Sequence, residues 1–229
     1  MATHLITGAG SGIGAAVARR LHERGDDLLL LARDAARAKE IAAGLPGART
    51  VVGDLANPDR LSWALSHQSL PDRLDSVLHV AGVVDLGAVA DISVKTWRAQ
   101  LDVNLLAPAE LTRLVLPQLR ISKGQVIFVN SGSGLNASPG WSAYAASKFG
   151  LKALADALRG EEKPNGVRVS TVYPGRTDSP MQEKVHQQEG KDYDGSRLID
   201  PESVATAILT VLDLPRDASI DDMTVRPGQ

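Results

Sequence analysis

Cysteine is absent from this chain of 229 residues, which excludes disulfides and thiolate metal sites. No run approaches the ~18–20 consecutive apolar residues that a membrane span needs, and no basic segment followed by an apolar one opens the chain. We therefore expect no membrane partner, no secretory signal and no metal site. Neither sign of charge is in excess, since Lys and Arg total 25 against 27 Asp and Glu, with a net charge of −2. We expect no nucleic-acid partner and, by default, a cytoplasmic protein.

Apolar residues are plentiful, at 43% of the chain, which is enough for one extended core. Short apolar runs alternate with longer amphipathic ones, and most of the short runs are apolar on both faces. Strands of this kind are typical of a parallel sheet covered by helices on both sides. We predict an α/β protein with a doubly wound (Rossmann) parallel β-sheet of six to seven strands and helices on both faces. The prediction places residues 1–229 in a single domain, with one long helix over residues 93–119.

A glycine-rich stretch, TGAGSGIG at residues 7–14, joins the first predicted strand to the first helix. Gly8 can take the positive φ of a tight turn, Gly12 lets the backbone approach a pyrophosphate, and Gly14 lets the helix pack on the strand. The amide groups of the helix N-terminus favour a diphosphate. A turn of this kind can also exist without a ligand, but its place in the first strand–helix unit favours nucleotide binding by this loop, Ser11 and Ile13 included.

The end of the second strand discriminates between the two nicotinamide cofactors. Ala32 stands where an NAD enzyme usually places an acidic residue, and Arg33, which can bind a 2′-phosphate, follows at once. Asp34 could weaken this effect, although a role as helix cap is the better interpretation. We predict NADP (NADPH) as the preferred cofactor, with NAD possible. Asp54 and Leu55, after the third strand, would lie beside the adenine, or Asp54 could instead stabilise its own turn.

Tyr144 and Lys148 are four residues apart in WSAYAASKFG, a stretch with the character of a small-residue helix. Positions i and i+4 share one face of a helix, so these side chains are neighbours whether or not they are functional. Taken alone, the stretch allows an ordinary surface pair as well as a catalytic acid and the cation that tunes it.

Seven motifs follow one another in an order that resembles the short-chain dehydrogenase/reductase family. They are TGAGSGIG, DL at 54–55, AGV at 81–83, Asn104 in DVNLLAP, Ser131 in FVNSGSG, YAASK at 144–148 and YPGRTDSPM at 173–181. Each motif is weak by itself, but together they cover residues 3 to about 212. The resemblance implies an oxidoreductase that transfers a hydride between a nicotinamide and a carbonyl or secondary alcohol, and with the cofactor predicted from Arg33 it would be NADP-dependent.

The same resemblance implies a role for each residue of the catalytic group. Tyr144 would be the general acid in reduction and the base in oxidation, and Ser131 would hydrogen-bond the substrate oxygen, with Ser133 a less well spaced competitor. Lys148 would hold the nicotinamide ribose, and its charge, worth about 4 kcal/mol at ~4 Å, would depress the tyrosine pKa. Asn104 would anchor a water that extends the proton relay.

Small residues and hydroxyls of the family pattern complete the expected cofactor site. Ala81 and Gly82 would leave room for the cofactor, and the hydroxyl of Ser179 would meet the nicotinamide carboxamide. His79 replaces an asparagine of the family pattern and is expected to pack behind the site. The remaining predicted cofactor contacts are Pro174, Gly175 and Thr177.

A substrate lid is expected at about residues 175–200, where the sequence is polar, has little to bury and should be mobile until a ligand binds. Aliphatic or aromatic ketones, acyl-thioester ketones, sugars and steroids are all compatible with it. We expect a homodimer or homotetramer. The stripe of Leu151, Leu154 and Leu158 fits either a subunit contact or the core of its own subunit.

Two other functions are compatible with parts of the sequence. A catalytically silent NAD(P)-binding sensor or scaffold protein would keep the fold, but usually loses Tyr144 or Lys148, and both are present. An epimerase or dehydratase of the extended relatives is disfavoured by the glycine spacing.

Overall fold

The computed structural model describes residues 1–228, which form one seven-stranded sheet in which every neighbouring pair is parallel. The strands are β1 (Thr3–Thr7), β2 (Asp27–Ala32), β3 (Arg49–Val52), β4 (Ser76–His79), β5 (Gln125–Val129), β6 (Arg168–Pro174) and β7 (Asp222–Val225). Their order is β3-β2-β1-β4-β5-β6-β7, so the chain reverses direction across the sheet between β1 and β4. Ligands of such sheets bind at this switch point, beyond the carboxyl ends of the strands. The predicted doubly wound sheet is confirmed.

Helices cover both faces of this sheet. The α-helices of residues 1–228 are α1 (Gly12–Glu23), α2 (Ala35–Gly44), α3 (Leu61–Ser66), α4 (Val94–Leu101), α5 (Ala107–Ser122), α6 (Ser142–Glu162), α7 (Pro180–Glu189) and α8 (Pro201–Asp213). Strand residues alternate between two cores, so that Leu5 packs under α3, α5 and α6 while Ile6 packs under α1, α2 and α8. This alternation explains why the strands are apolar at successive positions.

The leucine stripe of α6 belongs to the core of its own subunit. Leu151 and Leu158 are buried, and Leu154 packs against the same cluster under the sheet. The choice that the sequence left open is thereby settled for these three side chains.

The predicted long helix is interrupted by one wide turn. Between α4 and α5, residues Asp102–Leu106 form a π-helical segment, in which the Ala107 amide donates to the carbonyl of Asp102. Pro108 follows, and it has no amide hydrogen to donate to the carbonyl of Asn104. The widened turn carries Asn104, whose side chain is fully buried.

The segment predicted as a polar loop after β6 contains helix α7. Ser179 caps it by accepting a hydrogen bond from the Gln182 amide at 3.2 Å. The expectation that this segment has little to bury was wrong, because Val185 is buried and packs with Val84 and Tyr144. A single narrow apolar stripe on an otherwise charged helix gives little periodic signal. The mobility of the segment stays a prediction.

Candidate active site

A cleft of about 610 Å³ opens at the switch point of the sheet. It is lined by the loops that follow β1, β4, β5 and β6, by one face of α6, by the first half of α7 and by Arg226 after β7. Most of the residues predicted from the sequence to form a site line this cleft. The exceptions are Asn104, which packs against its wall, and Arg33, Asp54 and Leu55, which lie towards the β3 edge of the sheet.

The glycine loop forms one wall of the cleft. Gly8 and Gly12 have positive φ angles of 76° and 50°, and a Cβ on Gly14 would collide with the carbonyl of Gly8. Ser11 stands in extended backbone at the N-cap of α1, and Ile13 lines the cleft beside it. The loop therefore presents backbone amides and a helix N-terminus to the cleft, an arrangement suited to a diphosphate.

Arg33 and Asp54 lie beyond the second and third strands. Arg33 is 77% exposed and donates from Nε to Asp34 at 3.1 Å, while Asp34 caps α2 by accepting from the Arg37 amide at 2.8 Å. The expected cap at Asp34 is confirmed. Asp54 accepts from the Ala56 amide at 3.0 Å, which fits the expected alternative role of stabilising its own turn, with Leu55 partly buried next to it.

Arg37 is a cation of this region that the sequence analysis missed. Its Nη2 donates to the carbonyl of Gly10 at 2.7 Å, and its guanidinium fills the space that a side chain at position 10 would take. The side chain is 31% exposed and also pairs with Glu40. The available signal was an arginine in the first turn of α2, four residues after Arg33. Arg37 therefore contacts the glycine loop directly, whereas Arg33 contacts the adjacent Asp34.

Ser131, Tyr144 and Lys148 meet at the centre of the cleft. Ser131 follows β5, its Oγ accepts from the backbone amide of Ser133 at 3.1 Å, and both serines line the cleft. Tyr144 and Lys148 share the inner face of α6 and are 7% and 3% exposed. Lys148 Nζ lies 5.8 Å from the centroid of the Tyr144 ring and donates to the carbonyl of Val129 at 3.1 Å.

Burial decides the protonation of both α6 side chains. It raises the pKa of Tyr144 above its ordinary value, with the hydroxyl of Ser131 acting in the opposite direction. It lowers the pKa of Lys148 to about 8. The expected depression of the tyrosine pKa by the lysine is thus contradicted, because the loss of water around the phenol outweighs a cation that faces the Val129 carbonyl. Tyr144 is a neutral phenol at pH 7, the form that donates a proton.

Asn104 braces the floor of the cleft. Its Oδ1 accepts from the Val83 amide at 2.8 Å, and its Nδ2 donates to the Val83 carbonyl at 2.9 Å and to Ser147 Oγ at 3.0 Å. A Cβ on Gly82 would lie 3.2 Å from Asn104 Oδ1 and 3.8 Å from Lys148 Nζ. The side chain of Asn104 therefore ties the loop after β4 to α6.

The loop after β4 is pinned to the first strand. The hydroxyl of Thr7 accepts from the amides of Val80 and Ala81, each at 3.1 Å. His79 is buried, stacks on Phe128 and bonds to Thr112, and burial lowers its pKa to about 3. It packs behind the site as a neutral ring, as expected from the sequence.

The loop after β6 closes the opposite wall. Pro174, Gly175, Thr177 and Ser179 all line the cleft, and Thr177 Oγ1 donates to the Gly175 carbonyl at 3.1 Å. Ser179 Oγ donates to the Thr177 carbonyl at 3.1 Å and also caps α7. The Ser179 side chain lies opposite Gly12, 3.2 Å from the position of a Cβ there. The start of α7 thus faces the glycine loop across the cleft.

Within residues 1–228, no group of three or more His, Asp or Glu side chains is arranged to hold a metal ion. None of the helices in that part of the chain is both long enough and apolar enough to cross a membrane.

The sequence is similar to known proteins over nearly all of its length. A family model described as short chain dehydrogenase matches residues 2–190. An uncharacterized oxidoreductase of Staphylococcus epidermidis is 29% identical over 229 residues, which cover 97% of this chain and 96% of that protein. The crystal structure of an oxidoreductase of the short chain dehydrogenase/reductase family from Burkholderia thailandensis is 32% identical, with a TM-score of 0.85 and coverage of 99% of this chain and 92% of that one. An archaeal alcohol dehydrogenase from Thermococcus sibiricus, complexed with 5-hydroxy-NADP, has a TM-score of 0.84 and covers 100% of this chain and 97% of its own. At 24% identity its likeness concerns the fold.

Proposed function

The chain belongs to the short-chain dehydrogenase family, and on that premise we propose that it is an NADP-dependent oxidoreductase acting on a carbonyl or secondary alcohol. Ser131, Tyr144 and Lys148 are its proposed catalytic residues, supported by Asn104. The observation that carries the proposal is the single cleft in which the glycine loop faces this serine, tyrosine and lysine. The proposed unit is one NAD(P)-binding domain over residues 1–229, with residues 175–200 closing over the substrate.

The glycine loop and the two arginines beyond it fit an NADP molecule. The loop offers amides and a helix N-terminus to the diphosphate, and its glycines let the backbone pack closely, since a Cβ on Gly8 or Gly14 would meet backbone atoms of Ala81 or Gly8. Arg33 and Arg37 would bind the 2′-phosphate through charge-assisted hydrogen bonds, with Asp54 and Leu55 beside the adenine. Ala81 and Gly82 would leave room for the nicotinamide ribose. The same site accepts NAD with lower affinity.

The bound nicotinamide would supply the hydride in reduction and accept it in oxidation. In reduction, the hydroxyl of Tyr144 donates its proton to the carbonyl oxygen, to which Ser131 donates a hydrogen bond. The raised pKa of the phenol keeps this proton in place at neutral pH. Lys148 binds the ribose hydroxyls of the cofactor. The backbone carbonyl of Asn104 holds the water that returns a proton through Lys148.

Association into a homodimer or homotetramer is also proposed. Leu106, at the end of the wide turn before α5, and Phe149, on α6, are exposed apolar side chains. Large apolar side chains at the surface of adjacent helices support a subunit contact there.

The test is a panel of carbonyl compounds followed by the loss of nicotinamide absorbance. We expect NADPH oxidation with at least one ketone or aldehyde, and its loss in Tyr144→Phe. A variant that binds NADPH normally and keeps full turnover without the phenol would overturn the proposed chemistry. Binding of NADPH without turnover of any compound would favour the silent sensor or scaffold instead.

A further inference from the structure

The cleft has an unbalanced set of charges. Within residues 1–228, three cations line it, Lys148, Arg176 and Arg226, and no aspartate or glutamate does. A cleft that holds only cations favours a ligand with negative charge. A substrate can pair only with a cation that neither the cofactor nor another side chain already binds.

Lys148 and Arg176 are already engaged. Lys148 donates to the carbonyl of Val129 and is the proposed ligand of the ribose. Arg176 binds Glu189 through two hydrogen bonds of 2.9 and 2.6 Å and lies over the ring of Trp141 at 5.9 Å. This pairing, with a second ion pair to Lys191, lowers the pKa of Glu189 to about 2, so the carboxylate is ionised and paired with Arg176 throughout the physiological range.

Arg226 remains. It directly follows β7, whose register beside β6 sets Val225 opposite Pro174 at the carboxyl edge of the sheet, with the Gly175 amide donating to the Val225 carbonyl at 2.8 Å. The guanidinium lies over Gly132, the residue after Ser131, where an added Cβ would be 2.9 Å from Nη1 and 3.8 Å from Nη2. Among residues 1–228, Arg226 forms no hydrogen bond or ion pair.

We propose that Arg226 binds a carboxylate on the substrate, so that the enzyme acts on oxo acids and the corresponding hydroxy acids. The inference rests on the proposed oxidoreductase function. A guanidinium binds a carboxylate through two parallel hydrogen bonds, and one guanidinium matches the single charge of that group. The N-terminus of α1 would suit a phosphate dianion, but it is the proposed site of the cofactor diphosphate. The position over Gly132 places the acid beside the carbonyl bound by Ser131.

In the reduction, the hydride adds to the carbonyl carbon as the π bond opens, and the oxygen takes the proton of Tyr144. The nicotinamide is oxidised, the carbonyl becomes a hydroxyl, and the carboxylate held by Arg226 is unchanged. The arginine therefore contributes to binding and orientation, so its removal should raise KM for acids more than it lowers kcat.

The first test compares matched acids and esters with NADPH, namely acetoacetate against methyl acetoacetate and benzoylformate against methyl benzoylformate. We expect Arg226→Gln to raise KM for the acids about tenfold or more, the lower end of the range for a charge-assisted hydrogen bond because the arginine is exposed. Values for the esters and the affinity for NADPH should stay within about twofold, with Arg226→Lys intermediate. Arg49→Gln, which removes an exposed arginine at the first residue of β3, on the amino edge of the sheet opposite the cleft, is the matched control and should change nothing.

The second test does not need turnover. The complex with NADPH is titrated with benzoate and with benzamide, with the tryptophan fluorescence as the signal. Benzoate should bind about tenfold more tightly, and the difference should disappear in Arg226→Gln and persist in Tyr144→Phe. Equal binding of the two, or a preference that survives Arg226→Gln, would overturn the carboxylate site even if the enzyme reduces other carbonyls. Full turnover in Tyr144→Phe would instead refute the proposed chemistry and leave this preference standing.

Discussion

Replacing Arg37 by glutamine should remove most of the proposed preference for NADPH. The guanidinium is 31% exposed and is held against the glycine loop by its 2.7 Å bond to the Gly10 carbonyl, so little ordering is needed for it to meet a 2′-phosphate. Arg33 is 77% exposed and pairs only with the adjacent Asp34. A hydrogen bond to a charged group contributes about 1.5–3 kcal/mol, less where an exposed side chain must be ordered.

From these positions we expect Arg37→Gln to weaken NADPH binding about 20- to 100-fold and Arg33→Gln about tenfold. NADH, which lacks the phosphate, should change by less than about twofold in both. The assay is titration of each protein with NADPH and with NADH by nicotinamide fluorescence, with Arg49→Gln, at the amino edge of the sheet, as the control.

Two results would contradict the proposed contact between Arg37 and the 2′-phosphate. An unchanged ratio of NADPH to NADH affinity in Arg37→Gln would show that the residue does not contact the phosphate. Equal losses for both cofactors would show that Arg37 acts only by holding the glycine loop through Gly10.

Three further outcomes are expected. The kcat/KM of carbonyl reduction should fall as pH rises through about 8, because burial lowers the pKa of Lys148 to about 8 and the lysine loses its charge above that pH. Lys148→Arg should move this fall to higher pH in a pH–rate profile. A fall at the same pH in the variant would show that Lys148 is not the titrating group. Asn104→Leu leaves the amide and carbonyl of Val83 unpaired and should cost about 2–5 kcal/mol of unfolding free energy in urea; a loss below about 1 kcal/mol would contradict the bracing role. Arg176 lowers the pKa of Glu189 from 4.5 to about 2, so the stability that this ion pair gives to the fold is complete above about pH 4.5 and is lost on acidification. The unfolding midpoint of the wild type should therefore fall more steeply below pH 4.5 than that of Glu189→Gln. Parallel curves would show that the ion pair does not stabilise the fold.

The sheet and the position of its functional edge were predictable because they depend on local pattern. Leu28 to Leu31 form a continuous apolar run since successive side chains enter opposite cores, and that run by itself indicates a strand covered on both faces. The carboxyl ends of parallel strands share one edge, so the order of the motifs along the chain already placed Ser131 near Tyr144.

What escaped prediction depends on contacts between distant segments. The wide turn at Asn104 reads as continuous helix because the flanking residues keep helical spacing. Arg226 reaches the cleft only through the register of β7 beside β6, which no local pattern specifies. The raised pKa of Tyr144 likewise follows from its burial beneath Val185 and Val84, whereas the sequence showed only the lysine four residues away.

Tyr144 is proposed to supply the proton to the carbonyl oxygen, and single turnover of Tyr144→Phe examines this step alone. The variant keeps the ring that packs against Val185 and removes only the hydroxyl. We predict that it binds NADPH within about twofold of the wild type and that its hydride-transfer rate falls about 100- to 10,000-fold, the usual contribution of a general acid. An unchanged rate in a fully NADPH-loaded variant would show that Tyr144 is not the proton donor.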